Sequence, residues 1–560
     1  MTRGFWGFSA TQALALPSEL AEARTTTPMD KGNFGMIRST PVRMLLAGTA
    51  LLLGTGAIAQ TSQLATPKPE AMPDPSDAAA TSALRNAAAT DDARTRIELL
   101  SQQVAALQAQ LETIKATMVK ATPSWKGAPQ FEDKDAGWSF RPKGTLQFDA
   151  GYVGFPRGQQ LNGTSGGLNY NNLGFNARAR RAIIGAEGSL PGGFGYNVEI
   201  NVAQGAVDYE DILLSYQRKG SPIKVQIGNF YPMSSLETVT SSKFTSFMER
   251  PSFTDAFNYN RRLGASIALL DTKTDRYTLT GGIFSQEINN SSLARTGWEV
   301  GARGTFSPKI GTTQLHFGVS GHHRVNQRDL QGQQYRARPL LQTTDQRFVD
   351  AGTVASDGDD SVGLEFAAVH NGLHVAAEAQ KLWVRGYTPT DVISSPNNAA
   401  TGIRYLGDPS FEGGYAELGY YLTGESRGYK GGKFDRTKVL HPFDQGGWGA
   451  LQVNARVDVI NLNDRVADAP VGSTAVSAPY YVNGGRQTAY MAGLVWSPMD
   501  YVRFTAQYAH LDVRGGPRAT VNTVVAPGAP NGLFAIGTTT APGERKFGVE
   551  TAGVRAQLDF

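Results

Sequence analysis

The stretch Leu451-Gln452-Val453-Asn454-Ala455-Arg456-Val457-Asp458-Val459 carries an apolar side chain at every odd position and a polar or charged one at every even position. Successive side chains of a strand point to opposite faces, so one face of this segment suits a nonpolar surround and the other carries amide and charged groups. The same alternation runs through Tyr196-Asn197-Val198-Glu199-Ile200-Asn201-Val202, Trp298-Glu299-Val300-Gly301-Ala302-Arg303 and Val502-Arg503-Phe504-Thr505-Ala506-Gln507-Tyr508. The segments are about ten residues long, enough for a tilted strand to cross a bilayer. A soluble sandwich also alternates, but roughly 420 residues of one repeating pattern would make an unusually large one. The fold class expected is all-β: a transmembrane antiparallel β-barrel whose apolar face meets lipid and whose charged face lines the interior.

Composition agrees. The chain has 560 residues, 64 of them glycine, 9% aromatic, and no cysteine, which removes disulfides, thiolate metal sites and cysteine nucleophiles. Beyond residue 60 no run approaches the ~18 apolar residues that a membrane helix needs. Turn signals at Pro191-Gly192-Gly193, Lys219-Gly220-Ser221-Pro222, Asn371-Gly372 and Ser497-Pro498-Met499-Asp500 alternate with long polar loops near 322–360, 462–487 and 512–546. Short turns on one side and long loops on the other fit an outer-membrane barrel, here of about 16 strands. One connection conflicts with the count: 424–448 is long yet falls on the short-turn side, so a strand could be miscounted there. The chain closes on Val554-Arg555-Ala556-Gln557-Leu558-Asp559-Phe560, and this terminal aromatic strand resembles the signal that barrel-assembly machinery reads.

Ahead of the barrel (140–560) the organisation is modular. Residues 1–35 look like an upstream extension. Residues 36–59 carry Arg38 and Arg43, an apolar run from Met44, and Ala57-Ile58-Ala59, the pattern of a cleaved signal peptide. Residues 60–92 form an Ala/Pro-rich linker. In 93–120, Ile97, Leu100, Val104, Leu107, Leu111, Ile114 and Met118 are spaced 3-4-3-4-3-4, an a/d seam that needs a partner chain, and 121–139 is a second linker. Loss of residues 1–59 removes five basic and three acidic residues from totals of 53 and 49, leaving 48 against 46. Net charge this small makes no polyanion binder, so any anion preference must come from where the arginines sit.

An arginine facing lipid near the midplane costs ~2 to 4 kcal/mol, so parity sends arginines inward. Arg178 and Arg180 fall on one face, with Ala177, Ala179 and Ile183 on the other. Arg262, Arg303, Arg456, Arg503 and Arg555 turn inward against Leu263, Val300, Val457, Phe504 and Val554. Guanidiniums in a column suit a permeating oxyanion, since each forks onto two oxygens. The alternative is a ladder of ion pairs with inward carboxylates such as Glu199, Asp211, Glu299 and Asp458 that holds the barrel's shape. No P-loop, GxSxG or HExxH motif occurs, so no enzyme, metal site or cofactor is expected, and no basic patch with interleaved aromatics suggests nucleic acid. His316 and His322 share a face, with His323 beside them, but read as satisfied polar residues.

Asn176-Ala177-Arg178-Ala179-Arg180-Arg181, Gly228-Asn229-Phe230, Leu236 to Arg250 with Ser241-Ser242-Lys243 and Met248-Glu249-Arg250, Arg261-Arg262-Leu263-Gly264, and Tyr421 to Arg427 together resemble the phosphate-selective porin O and P family. The resemblance implies a homotrimer of 16-stranded barrels in a Gram-negative outer membrane, passing small anions (phosphate, polyphosphate, chloride). It also implies a constriction loop at 231–260 that places Thr238, Ser241, Ser242 and Lys243 near the narrowest point. Tyr231 and Thr238 stand where phosphate-selective members tend to have lysines, which removes positive charge there. Three readings remain open: an anion porin, a general or organic-solute porin without phosphate specificity, and a plugged structural or adhesive barrel.

Overall fold

The computed structural model describes residues 90–112, 124–161, 173–386, 407–467, 480–521 and 546–560, with short gaps at 92, 126, 134, 156–158, 291–296, 327–331, 355 and 516–518, and Ser82 by itself. The upstream extension, the signal-peptide segment and nearly all of linker 60–92 lie outside the described residues.

The alternating segments form sixteen strands. The first eight are β1 (Trp138–Val153), β2 (Gly174–Leu190), β3 (Phe194–Asn201), β4 (Asp208–Tyr216), β5 (Ile223–Phe230), β6 (Arg262–Leu270), β7 (Tyr277–Phe284) and β8 (Trp298–Phe306). The rest are β9 (Thr313–Val325), β10 (Gly358–His370), β11 (Leu373–Arg385), β12 (Ser410–Tyr421), β13 (Ala450–Ala467), β14 (Tyr480–Met499), β15 (Val502–Arg514) and β16 (Lys546–Asp559). Each pairs antiparallel with the next, and β16 closes on β1 from Thr551 opposite Val153 to Asp559 opposite Thr145. Closure leaves no unpaired strand edge, the condition for a sheet to sit in hydrocarbon. Short strands at Ser124–Trp125, Pro129–Asp133 and Lys309–Ile310 extend the same sheet, so the stretch expected as linker 121–139 is partly strand.

Burial follows the period of two. Leu263, Val300, Val457, Phe504 and Val554 are exposed, whereas Arg262, Arg303, Arg456 and Arg555 beside them are buried on the enclosed face. The alternation breaks in β2. Gln147 of β1 faces Arg181 while its neighbour Phe148 faces Ala179, so Arg180 is an extra, bulged residue. The bulge turns both Arg180 and Arg181 inward and reverses the parity that follows. Ile183, expected on the outer face with Ala177 and Ala179, is therefore buried, and Ile184 takes the exposed position.

Strand parity also resolves the long connection at 424–448. No strand is missing: residues 422–449 join β12 to β13 on the short-turn side. The segment folds inward as a hairpin pairing Gly428–Lys430 with Lys433–Asp435. Gly431 and Gly432, at φ 59° and 73°, supply the left-handed pair that a two-residue hairpin turn requires. One expected turn moves: β14 continues through Met499, and the reversal falls at Asp500 and Tyr501.

The loop near 322–360 is less polar in its setting than its composition suggests. It contains a second hairpin, Gln333–Ala337 with Val349–Val354, and Tyr335, Leu341, Phe348 and Val349 are fully buried. Separately, residues 93–112 form a helix. Its described residues are exposed on every side, the seam residues Ile97, Leu100, Val104, Leu107 and Leu111 among them. Ile114 and Met118 lie outside the described residues.

Candidate functional site

Residues 231–260 leave β5 and return to β6 through the barrel interior, held there by the wall. The turn Leu236–Val239 is capped by Ser235, whose Oγ accepts from the Thr238 amide at 3.0 Å. The Glu378 carboxylate of β11 accepts the Leu236 and Glu237 amides, both at 2.9 Å, and the Tyr415 hydroxyl at 3.0 Å. Phe247, Phe253, Ala256 and Phe257 of the loop are buried in the hydrophobic core. Ser252 donates its amide to Asp458 at 3.0 Å, and Met248 its amide to Gln507 at 2.8 Å. Glu378→Ala would orphan two buried amides, a cost of ~1 to 3 kcal/mol each. The expected result in bilayer recordings is a noisier, larger single-channel current, and an unchanged current trace would show that Glu378 does not anchor the loop.

Most of the wall arginines meet carboxylates or loop carbonyls. Arg303 forks onto Glu365 at 2.8 and 2.6 Å and donates to the Gly432 carbonyl at 2.8 Å. Arg456 donates twice to one oxygen of Glu417, Oε2, at 3.0 and 2.6 Å and reaches Glu237 at 3.2 Å. Arg555 forks onto Asp149 at 2.7 Å twice and joins Glu249 at 2.7 Å. Arg503 donates to the Lys243 and Thr245 carbonyls at 2.8 and 2.5 Å, and Arg178 to the Gln342 carbonyl at 2.5 Å. Arg262 pairs with Glu299 at 3.0 Å, and Arg180 with Glu249 at 3.1 Å. Burial alone would raise the Glu249 carboxyl, but Arg180, Arg555 and Arg181 outweigh it and hold it well below the usual range. Of the carboxylates expected to pair, Glu299 and Asp211 do so with arginines, Glu199 with Lys143 at 3.1 Å, and Asp458 serves the loop instead. His316 contacts Tyr429 at 2.6 Å and Glu365 at 3.0 Å, and His322 contacts Glu299 at 2.6 Å. The described residues hold no cluster of metal-ligating side chains.

Among the described residues, two polar chambers of about 750 and 860 Å3 lie inside the barrel. Arg180 and Arg262 border the first, with Arg336, Arg338 and Arg347 from the inward loop after β9. Lys143, Lys224, Ser241, Lys243, Arg261 and Lys433 border the second, Lys433 arriving on the inward hairpin after β12. Burial draws the Lys243 ammonium below its ordinary range. Arg178, Arg303, Arg456, Arg503 and Arg555 border neither chamber.

Five side chains line both chambers: Arg181, Tyr231, Thr238, Ser242 and Arg250. Arg181 donates to Gln147 at 2.7 Å. Arg250 donates to the Glu237 and Thr240 carbonyls, each at 2.8 Å. Neither makes an ion pair with a carboxylate among the described residues. Two guanidiniums approach the Tyr231 ring, Arg261 at 4.2 Å and Arg250 at 5.3 Å from its centroid, contacts that favour both cations there. Of the paired serines, Ser241 closes a turn, its carbonyl taking the Phe244 amide at 2.9 Å. Arg181 escaped the parity argument, although two adjacent arginines in a lipid-crossing strand are themselves a bulge signal, since both must face inward. Arg250 lay in a loop without periodicity.

A closed barrel with an apolar outer band, and with loops from both ends folded into a polar interior, defines a membrane pore protein of the porin class. The chain belongs to the family described as phosphate-selective porin O and P, which matches residues 158–533. An uncharacterized protein of Caulobacter vibrioides is 35% identical over 469 residues, 80% of this chain and 81% of the relative. Porin O of Pseudomonas aeruginosa is 26% identical over 402 residues, 68% of this chain and 85% of that one. Among solved structures, the outer membrane channel DcaP of Acinetobacter baumannii superposes with a TM-score of 0.42 at 10% identity, covering 77% of this chain and 99% of that one. Family and barrel place the protein in the outer membrane, among channels rather than enzymes.

Proposed function

We propose that the protein passes small anions passively through its barrel, phosphate or polyphosphate among them. The junction of the two chambers at Arg181 and Arg250 acts as the selective constriction. The observation that carries this reading is the pair of guanidiniums at the junction, which make no direct ion pair with a carboxylate among the described residues, although Glu249 lies within electrostatic reach of Arg181, whereas most wall arginines are committed to ion pairs. Conduction needs several weak sites rather than one tight one, and the cations of the two chambers supply them on either side of the junction. Thr238 and Ser242 add hydroxyls beside the passing anion, with Lys243 next to them in the second chamber.

The test is a planar-bilayer measurement on the purified protein: reversal potential across a KCl gradient, then titration of chloride current with phosphate. Anion selectivity with saturating block by phosphate supports a phosphate-binding channel. Selectivity without block favours the general or organic-solute porin, for which Thr238 and Tyr231 in place of lysines speak. An absence of conductance supports the plugged barrel.

Assembly as a homotrimer belongs to the same proposal. Strands β3 to β8 have only 8 or 9 residues each, against 12 to 20 in β9 to β16. At ~3.4 Å per residue and ~45° tilt such strands rise ~20 Å, short of the ~25 Å apolar band. That low wall carries exposed Ile227, Ile267 and Ile283, and a neighbouring copy would cover it. Export by the 36–59 signal and a trimerising coil over 93–120 complete the reading.

A further inference from the structure

We propose that the outward face of β14, β15 and β16, near their long-loop ends, binds a phosphate-bearing glycolipid of the outer leaflet. Arg486 lies directly opposite Arg514, and Arg514 directly opposite Lys546. All three are exposed, on the face that carries Phe504, Tyr508 and Val554, and none pairs with a carboxylate among the described residues. Like charges directly opposite one another on a sheet repel. Three in a row, on a surface that otherwise faces lipid, call for an anion to cover them.

Height on the barrel says which anion. Arg514 stands ten residues along β15 from Phe504, whose ring stacks on Trp496 at 5.3 Å near the short-turn side. Ten residues at ~3.4 Å and the same ~45° tilt rise ~24 Å, close to the ~25 Å of the apolar band. If Phe504 and Trp496 mark one interface, the cation row lies at the other, level with the headgroups of the outer leaflet. Below the row the surface stays polar. His510 contacts Glu550 at 2.6 Å and Asp512 at 3.5 Å, and the Tyr508 hydroxyl donates to Glu550. The two carboxylates of this face are thus engaged with His510 and Tyr508 rather than with the cation row. Forked guanidiniums above and hydrogen-bonding side chains below match phosphates carried on sugar hydroxyls. A partner copy is the weaker occupant, because the low wall proposed to meet it, β3 to β8, is centred well round the ring from β15.

The inference rests on the outer-membrane orientation and not on the anion pathway, so its test leaves the pore aside. Purified protein would be titrated with lipopolysaccharide and with its dephosphorylated form, native mass spectrometry counting bound lipid. The expected result is that R486Q/R514Q/K546Q weakens intact lipid by about tenfold or more, while R486K/R514K, which keeps the charge and loses the fork, weakens it less and chloride conductance stays at the wild-type level. Three outcomes would overturn the site. One is wild-type binding indifferent to dephosphorylation, which needs no variant. Another is triple-variant affinity within about twofold of wild type. The last is dissociation of the oligomer with lipid binding per chain preserved, which would make the row an interface between copies.

Discussion

Arg181→Gln together with Arg250→Gln is expected to abolish anion selectivity. A unit charge ~5 Å from a permeating ion is worth ~3 kcal/mol at an effective dielectric of about 20. Water and salt in the pore reduce this to ~1 kcal/mol per guanidinium, so with both removed the chloride-to-potassium permeability ratio should fall by about 30-fold or more. Arg181→Glu should go further and favour cations. Arg303→Gln is the control: that guanidinium is spent on Glu365 and the Gly432 carbonyl, so its loss should disturb the hairpin and leave selectivity nearly intact. A double variant whose reversal potential stays at the wild-type value would remove the junction from the mechanism.

The second large effect concerns stability. Arg456→Met should destabilise the protein by ~3 to 5 kcal/mol, because it strips a buried carboxylate of its counter-charge. The carboxylate at risk is Glu237. Glu417 keeps Arg427 and His374, each at 3.0 Å, whereas Glu237 has Arg456 as its ion pair, and its Oε2 has no hydrogen-bond partner. The double variant R456M/E237Q should therefore recover most of the loss, although Met replaces a guanidinium that lies 4.6 Å from the Phe247 ring centre. Denaturant midpoints of the two variants decide it. Equal midpoints would show that the pairing with Glu237 is not what Arg456 contributes.

Much of the barrel is legible in the amino-acid sequence, for a local reason. A strand's side chains alternate whatever lies across from it, so Arg262 against Leu263 and Arg456 against Val457 declare their faces from sequence alone. Strand parity likewise put 424–448 on the short-turn side, and the conflict with its length was a real feature, an inward hairpin. The family resemblance singled out 231–260, and the structure brings Thr238 and Ser242 to the chamber junction, with Ser241 and Lys243 in the second chamber.

What the sequence determined by itself was the period, the closed β architecture and the inward face of the charged residues, because each follows from neighbours one or two positions apart and from the cost of charge in lipid. What only the tertiary structure decided was which inward charges are spent and which stay open. Arg456 meets Glu237 across 219 residues, and Arg555 meets Asp149 across 406. Those pairings, the bulge that turns Arg181 inward and the placement of Arg250 depend on how distant strands and an aperiodic loop converge, and no local pattern encodes that convergence.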